Sequence, residues 1–111
     1  MNYNIYTMYD MAAVAYTRPF FLQSDGQALR MFTDIATDAE HEVGKHPEDY
    51  SLIRIGIYDD QSGQLVDQSN ETLATALEVV ASSRERALAT RQGEAVAGGE
   101  PINDESYGGT G

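Results

Sequence analysis

The sequence predicts an α+β fold: a four-stranded, mainly antiparallel sheet in ββαββα order, with helices mainly on one face. Three observations predict it. Residues 3–9 and 51–58 alternate with the period of a strand. Residues 28–36 carry apolar side chains at helical spacing. The loop Asp59-Asp-Gln-Ser-Gly63 joins two strand-like runs as a hairpin, with Gly63 free to take a positive φ.

In the first strand, Tyr3, Ile5, Thr7 and Tyr9 share one face, and Asn4, Tyr6 and Met8 the other. Val14 to Thr17 reads as a second strand paired with it as a hairpin. Arg18-Pro19 interrupts that pairing, because proline has no N–H to donate, and Phe20-Phe21-Leu22 returns apolar bulk to the core. Ser24-Asp25 starts a helix, with Gln27 placed to complete a capping box. Ala28, Phe32 and Ile35, flanked by Leu29 and Met31, form its apolar stripe, and the helix should fade near 37–40. Residues 41–50 read as a connection punctuated by Gly44 and Pro47.

Ser51 to Tyr58 is the third strand; Ile53, Ile55 and Ile57 should point into the core. Gln64 to Asp67 is a short fourth strand. Ser69-Asn70 then caps a second helix, roughly Glu71 to Arg91. Arg84, Arg86 and Arg91 near its end complement the helix dipole, and more simply so than as a basic patch. Residues 1–91 therefore form a single α+β domain. Residues 92–111 hold six of the ten glycines and four acids with no base, which predicts a disordered acidic tail.

Eighteen acids against seven bases give a net charge of −11. Phosphate binding without sequence preference needs a Lys/Arg surface, so autonomous DNA binding is disfavoured. An acidic surface repels DNA and anionic membranes and attracts basic partners. There is no cysteine, so disulfides, thiolate catalysis and cysteine-ligated metals are excluded. No apolar run approaches the ~18 residues of a membrane span. The amino-terminal residues lack the basic-then-apolar order of a signal peptide.

His46-Pro47-Glu48-Asp49-Tyr50 offers a histidine and two carboxylates. The spacing matches no familiar metal-ligand pattern, and a proline-initiated turn explains the same residues, so no metal site is assigned. There is no nucleophile elbow, P-loop or dinucleotide-binding glycine pattern, so neither an enzyme nor a cofactor is expected. Eight of the ten aromatics, Tyr3, Tyr6, Tyr9, Tyr16, Phe20, Phe21, Tyr50 and Tyr58, cluster in the strand-forming half. Aromatics on an open sheet stack single-stranded bases where cations accompany them; otherwise core packing and protein contact are their uses. Arg18 and Arg54 are the cations that such a sheet would carry.

Tyr16-Thr-Arg-Pro-Phe-Phe21, Ala28-Leu-Arg-Met-Phe-Thr-Asp34, His46-Pro-Glu-Asp-Tyr50, Leu52, Arg54-Ile-Gly56, Tyr58-Asp59 and Ser62-Gly63-Gln-Leu65 occur in that order. Together they resemble the small non-structural protein of gokushovirus-type microviruses, which are single-stranded DNA bacteriophages. The resemblance spans roughly residues 3–68. Its matching positions include Pro19, Phe20, Phe32, His46, Pro47, Glu48, Asp49, Tyr50, Gly56 and Gly63. It implies a non-enzymatic early protein of the host bacterial cytoplasm, absent from the mature virion and acting in single-stranded DNA synthesis or packaging.

Under that resemblance Arg18, Arg30, Lys45 and Arg54 are the cations that would touch phosphate, and Phe20, Phe32 and Tyr50 are core. The expected partners are single-stranded DNA within a complex, the viral replication initiator, the procapsid or a host replication protein. The charge supports an alternative: an acidic interaction protein, or DNA mimic, that binds a DNA-binding protein. An open sheet edge and an apolar second helix predict a homodimer.

Overall fold

The computed structural model describes residues 1–98. The elements in chain order are β1 (Asn2–Asp10), β2 (Ala15–Tyr16), β3 (Phe20–Leu22), α1 (Asp25–Ala36), α2 (Glu42–Lys45), β4 (Tyr50–Asp59), β5 (Gln64–Thr75) and α3 (Ala76–Gly98). A 3-10 turn, Pro47–Asp49, links α2 to β4. Residues Met1–Ala81 form one compact unit. The expected acidic tail lies, from residue 99 on, outside the described residues.

The α+β class and the antiparallel pairing are as predicted, but the sheet has five strands rather than four. Its order is β2-β1-β4-β5, with β3 also on β1. β2 and β3 share one edge of β1: Tyr9 and Asp10 pair with Tyr16 and Ala15, while Asn4, Ile5 and Tyr6 pair with Leu22, Phe21 and Phe20. Between them Thr17 N–H donates to the Met8 carbonyl at 2.8 Å, and Met8 N–H to Thr17 Oγ1 at 3.0 Å. The Arg18-Pro19 break therefore interrupts the edge without ending it, and Phe20–Leu22 is a strand.

The largest departure is after the 59–63 hairpin. β5 continues to Thr75, so Ser69-Asn70 lies within a strand, and α3 begins at Ala76 rather than near Glu71. Thr75 and Glu78 explain the boundary. Thr75 Oγ1 accepts from Glu78 N–H at 3.2 Å, and Glu78 Oε1 accepts from Thr75 N–H at 2.8 Å. This reciprocal capping box satisfies two helix-end donors, which Ser69-Asn70 would do less completely. β4 also pairs with both ends of β5, Gln64–Asp67 and Glu71–Thr75, with register shifts between, which holds the second stretch in a strand. Because α3 runs on to Gly98, Arg84 and Arg86 fall in its middle rather than its last turn.

α1 follows its sequence closely. Ser24 accepts from Gln27 N–H at 3.2 Å, and the Gln27 side chain accepts from Gln23 N–H at 3.0 Å. Ala28, Phe32 and Ala36 are buried against Tyr6, Leu52, Val43, Ala74 and Ala76. Full burial of Phe32 and Leu52 contributes about 1.5–3 kcal/mol each. Phe20, Tyr50, Val79 and Val80 pack around that cluster half-buried.

The isoleucines do not line one core face as expected. The β1–β4 register slips at Ile5/Tyr6, so Ile55 has no partner on β1. Such a bulge breaks the two-residue alternation. Ile53 then falls opposite Thr7, and Ile57 opposite Asn4, on different faces, and the core cluster takes Leu52 instead.

Candidate interaction surface

Residues paired directly across antiparallel strands share a face, so the register sorts the sheet into two. The first face carries Asn4, Tyr6, Met8, Phe20, Leu22, Leu52, Arg54, Glu71 and Ala74. α1, α2 and the first turn of α3 cover it, through Ala28, Phe32, Val43 and Ala76. The second face carries Tyr3, Ile5, Thr7, Tyr9, Tyr16, Phe21, Ile53, Gly56, Tyr58 and Leu65. The β1 residues divide between the faces as their alternation predicts.

Arg54 lies on the helix-covered face, and its environment decides its role. Its guanidinium bonds Asp25 of α1 through one terminal nitrogen and Glu71 of β5 through the other. Asp25 also accepts from the Tyr6 hydroxyl at 2.7 Å, and Asn4 Nδ2 donates to that hydroxyl at 2.9 Å. Burial pushes the Tyr6 phenol up to about 12, and its hydrogen bond to Asp25 adds to this. Burial also pushes Asp25 upward. The hydrogen bonds from Tyr6 and Arg54, with the Arg54 charge, outweigh it and hold the carboxyl below the usual range. The hydrogen bond to Asp25 raises Arg54 further. Arg54 thus clamps the start of α1 to the sheet, with two carboxylates against its one charge.

The other three cations expected at phosphate stand on separate elements. Arg18 is exposed between β2 and β3, Arg30 is exposed on α1, and Lys45 is exposed at the end of α2. Among the described residues none of the three is in an ion pair. Arg54 lies on the face opposite the second-face aromatics, so it does not accompany them as a cation for base stacking.

The His46–Tyr50 segment forms a corner beside α2. Pro47 opens the 3-10 turn, and Met11 N–H donates to the Asp49 carbonyl at 2.8 Å. His46 is exposed and lies 3.9 Å from Glu42 and 3.8 Å from Glu48. His46, Glu48 and Asp49 each offer a ligand atom within 4.8 Å of the others, so they could hold a metal ion, but His46 and Glu48 stand in solvent. Burial raises the Tyr50 phenol, with Asp10, Glu42 and Asp49 adding to it. An acidic corner therefore surrounds Tyr50.

Two motif glycines have structural causes. A Cβ on Gly56 would meet the Val66 carbonyl oxygen at 2.8 Å, because β4 and β5 approach closely beside the bulge. Gly63 has φ of +73°, which the hairpin loop requires.

On the second face Tyr3, Phe21 and Tyr58 line an open apolar cleft of about 280 Å³. Phe21 meets Tyr58 edge-on, with ring centroids 5.8 Å apart. Phe21 is 49% exposed, and Leu65, opposite Tyr58, is 64% exposed. At the other end of β1, Tyr9 and Tyr16 pack at 4.8 Å. Sequence reasoning identified these aromatics but not the cleft. The β1 alternation placed Tyr3 correctly, whereas Tyr58 and Phe21 needed the bulge and the third strand.

A family model described as Phage ORF5 protein matches residues 3–79. No curated protein and no solved structure matches the chain.

Proposed function

Because this chain belongs to the Phage ORF5 protein family, we propose that it is a non-enzymatic early phage protein, an accessory factor in viral single-stranded DNA synthesis or packaging. It works in the host bacterial cytoplasm, outside the mature virion, through a basic DNA-handling protein such as a replication initiator, a procapsid component or a host replication protein. The microvirus assignment belongs to the same reading and rests on the motif series from Tyr16 to Leu65.

The carrying observation is the state of Arg54. The cation nearest the centre of the sheet is bound by Asp25 and Glu71, so it has no charge to spare for phosphate. Arg18, Arg30 and Lys45 remain for DNA contact within a complex, against a net charge of −11. A basic protein meets the opposite electrostatics.

The acidic corner of Asp10, Glu42, Glu48 and Asp49 favours a second reading, that of a DNA mimic occupying a DNA-binding protein. A homodimer through the open edge of β5 is compatible with either. The test is genetic. In a phage carrying an early stop codon in this gene, single-stranded progeny DNA should fall while the double-stranded replicative form persists. An unchanged ratio of the two forms would refute the accessory role.

A further inference from the structure

We infer that the tip of the β1–β2 hairpin, residues 11–16, is an apolar docking point for a basic amphipathic segment of a protein partner. This rests on the reading of a basic DNA-handling partner and deepens it by naming the surface and the chemistry it selects.

Met11, Ala12, Ala13, Val14, Ala15 and Tyr16 follow one another without a charge, and all six are exposed. Met11 is 59%, Val14 74% and Tyr16 56% exposed, so the bulk of each large side chain stands in water. A run of exposed apolar residues is a defect unless it serves a contact. The tip is also held in place. Asp10 Oδ1 accepts from the N–H of Ala12 at 3.0 Å and from that of Ala13 at 3.2 Å. Met11 N–H donates to the Asp49 carbonyl at 2.8 Å, and the Tyr9 and Tyr16 rings pack at the base of the hairpin. Side chains presented on a fixed backbone lose less entropy when they dock, and the unbranched Met11 can adapt to the surface it meets.

Charge selects the occupant. The acidic corner stands at the same end of the sheet: Asp10 directly precedes the tip and pairs with Tyr50 of β4, and Glu42 and Asp49 also act on Tyr50. Glu48 flanks His46 in the adjoining turn. Among the described residues no arginine or lysine pairs with any of these four carboxylates. Arg18 and Lys45 are the cations on the neighbouring segments, and the acids outnumber them. A second copy would set this corner against its like, and nucleic acid or anionic lipid would meet the same repulsion. A basic segment meets attraction instead. Its apolar side chains cover Met11 and Val14 while its cations reach the acids, which is how a basic amphipathic helix engages an apolar surface with an acidic rim.

The test titrates the full-length protein, labelled with ¹⁵N, with three short peptides. One is patterned from leucine and lysine as an amphipathic helix, one has serine for each leucine, and one has glutamate for each lysine. The leucine–lysine peptide should move the Met11–Tyr16 and Tyr50 signals and bind at least tenfold more tightly than either counterpart. Val14→Asn relieves a φ of +55°, so it should raise the urea midpoint while weakening this peptide about tenfold, as the loss of one buried valine does. The opposite signs separate a lost contact from a lost fold. Glu48→Gln should weaken the peptide severalfold and flatten its salt dependence.

Equal affinity for the serine counterpart, or shifts confined to residues away from the tip, would overturn the docking point while leaving the basic-partner reading intact. So would tip signals that move with protein concentration alone or with phosphatidylcholine vesicles, which would give the tip to a second copy or to lipid. Unchanged affinity in Val14→Asn would also overturn the docking point. Tighter binding of the glutamate counterpart would overturn both.

Discussion

If Arg54 is a structural clamp, a double-mutant cycle between Arg54 and Asp25 should register it. Arg54→Met keeps much of the aliphatic stem and removes the charge; Asp25→Asn keeps the shape and removes the opposite charge. Arg54 is 22% exposed and Asp25 is 37% exposed, so the pair sits between a solvated ion pair and a buried one. Charge-assisted hydrogen bonds contribute about 1.5–3 kcal/mol, and exposed pairs about 0.2–1 kcal/mol. Discounted for the exposure of Asp25, the coupling should be about 1 kcal/mol. Glu71 is 59% exposed and should couple to Arg54 much more weakly.

Asp25 also sits in the first turn of α1 and interacts with the helix dipole, but that contribution is common to both backgrounds and cancels in the cycle. Urea unfolding followed by circular dichroism measures it, and the Tm should fall by about 4–8 °C per kcal/mol lost. The pH dependence follows from the depressed Asp25 pKa. Its contribution is fully present above the unfolded value of 3.8 and is lost as pH falls through the lower folded value. A coupling near zero at pH 7, or one that survives acidification well below that range, would refute the clamp.

Three further outcomes follow from the same geometry. Tyr6 has a folded pKa of about 12 against 10.0 unfolded, so its contribution is complete below pH 10 and lost as pH rises through 12. Alkaline unfolding should therefore cost about 2 kcal/mol by pH 12, and Tyr6→Phe should remove that part of the slope; an unaltered slope contradicts the assignment. Gly56→Ala places a Cβ 2.8 Å from the Val66 carbonyl oxygen and should destabilise by about 1–3 kcal/mol in urea titration, with a neutral result excluding the close approach. Val14, 74% exposed in the β1–β2 turn with φ of +55°, is strained there; Val14→Asn should stabilise by about 0.5–1 kcal/mol, and a loss of stability would show that the valine side chain packs.

Local signals carried α1, the faces of β1 and the Gly63 hairpin into the sequence reading. In each case a side chain acts on a neighbour within a few residues, as Ser24 and Gln27 do at the helix start. The misplaced elements depend on distant partners. Leu73, Ala74, Leu77 and Val80 fit a helical stripe on their own, and the pairing of Thr72 and Ala74 with β4 keeps the first two in β5. Phe20–Leu22 is short and follows a proline, so only its register with Asn4–Tyr6 reveals it as a strand. The same limit applied at the surface. Arg54 looked available in sequence because Asp25 lies 29 residues before it and Glu71 lies 17 after it. One bulge at Ile55 was enough to change which residues share a face with Tyr58.

The central claim is that this acidic chain acts through a basic protein and does not hold DNA by itself. Fluorescence anisotropy of labelled oligo(dT) with the full-length protein, over a series of salt concentrations beginning at low salt, tests it most directly. The account predicts no binding at any salt concentration. Tight binding at low salt that falls steeply as salt rises, the signature of counterion release from phosphate, would contradict it.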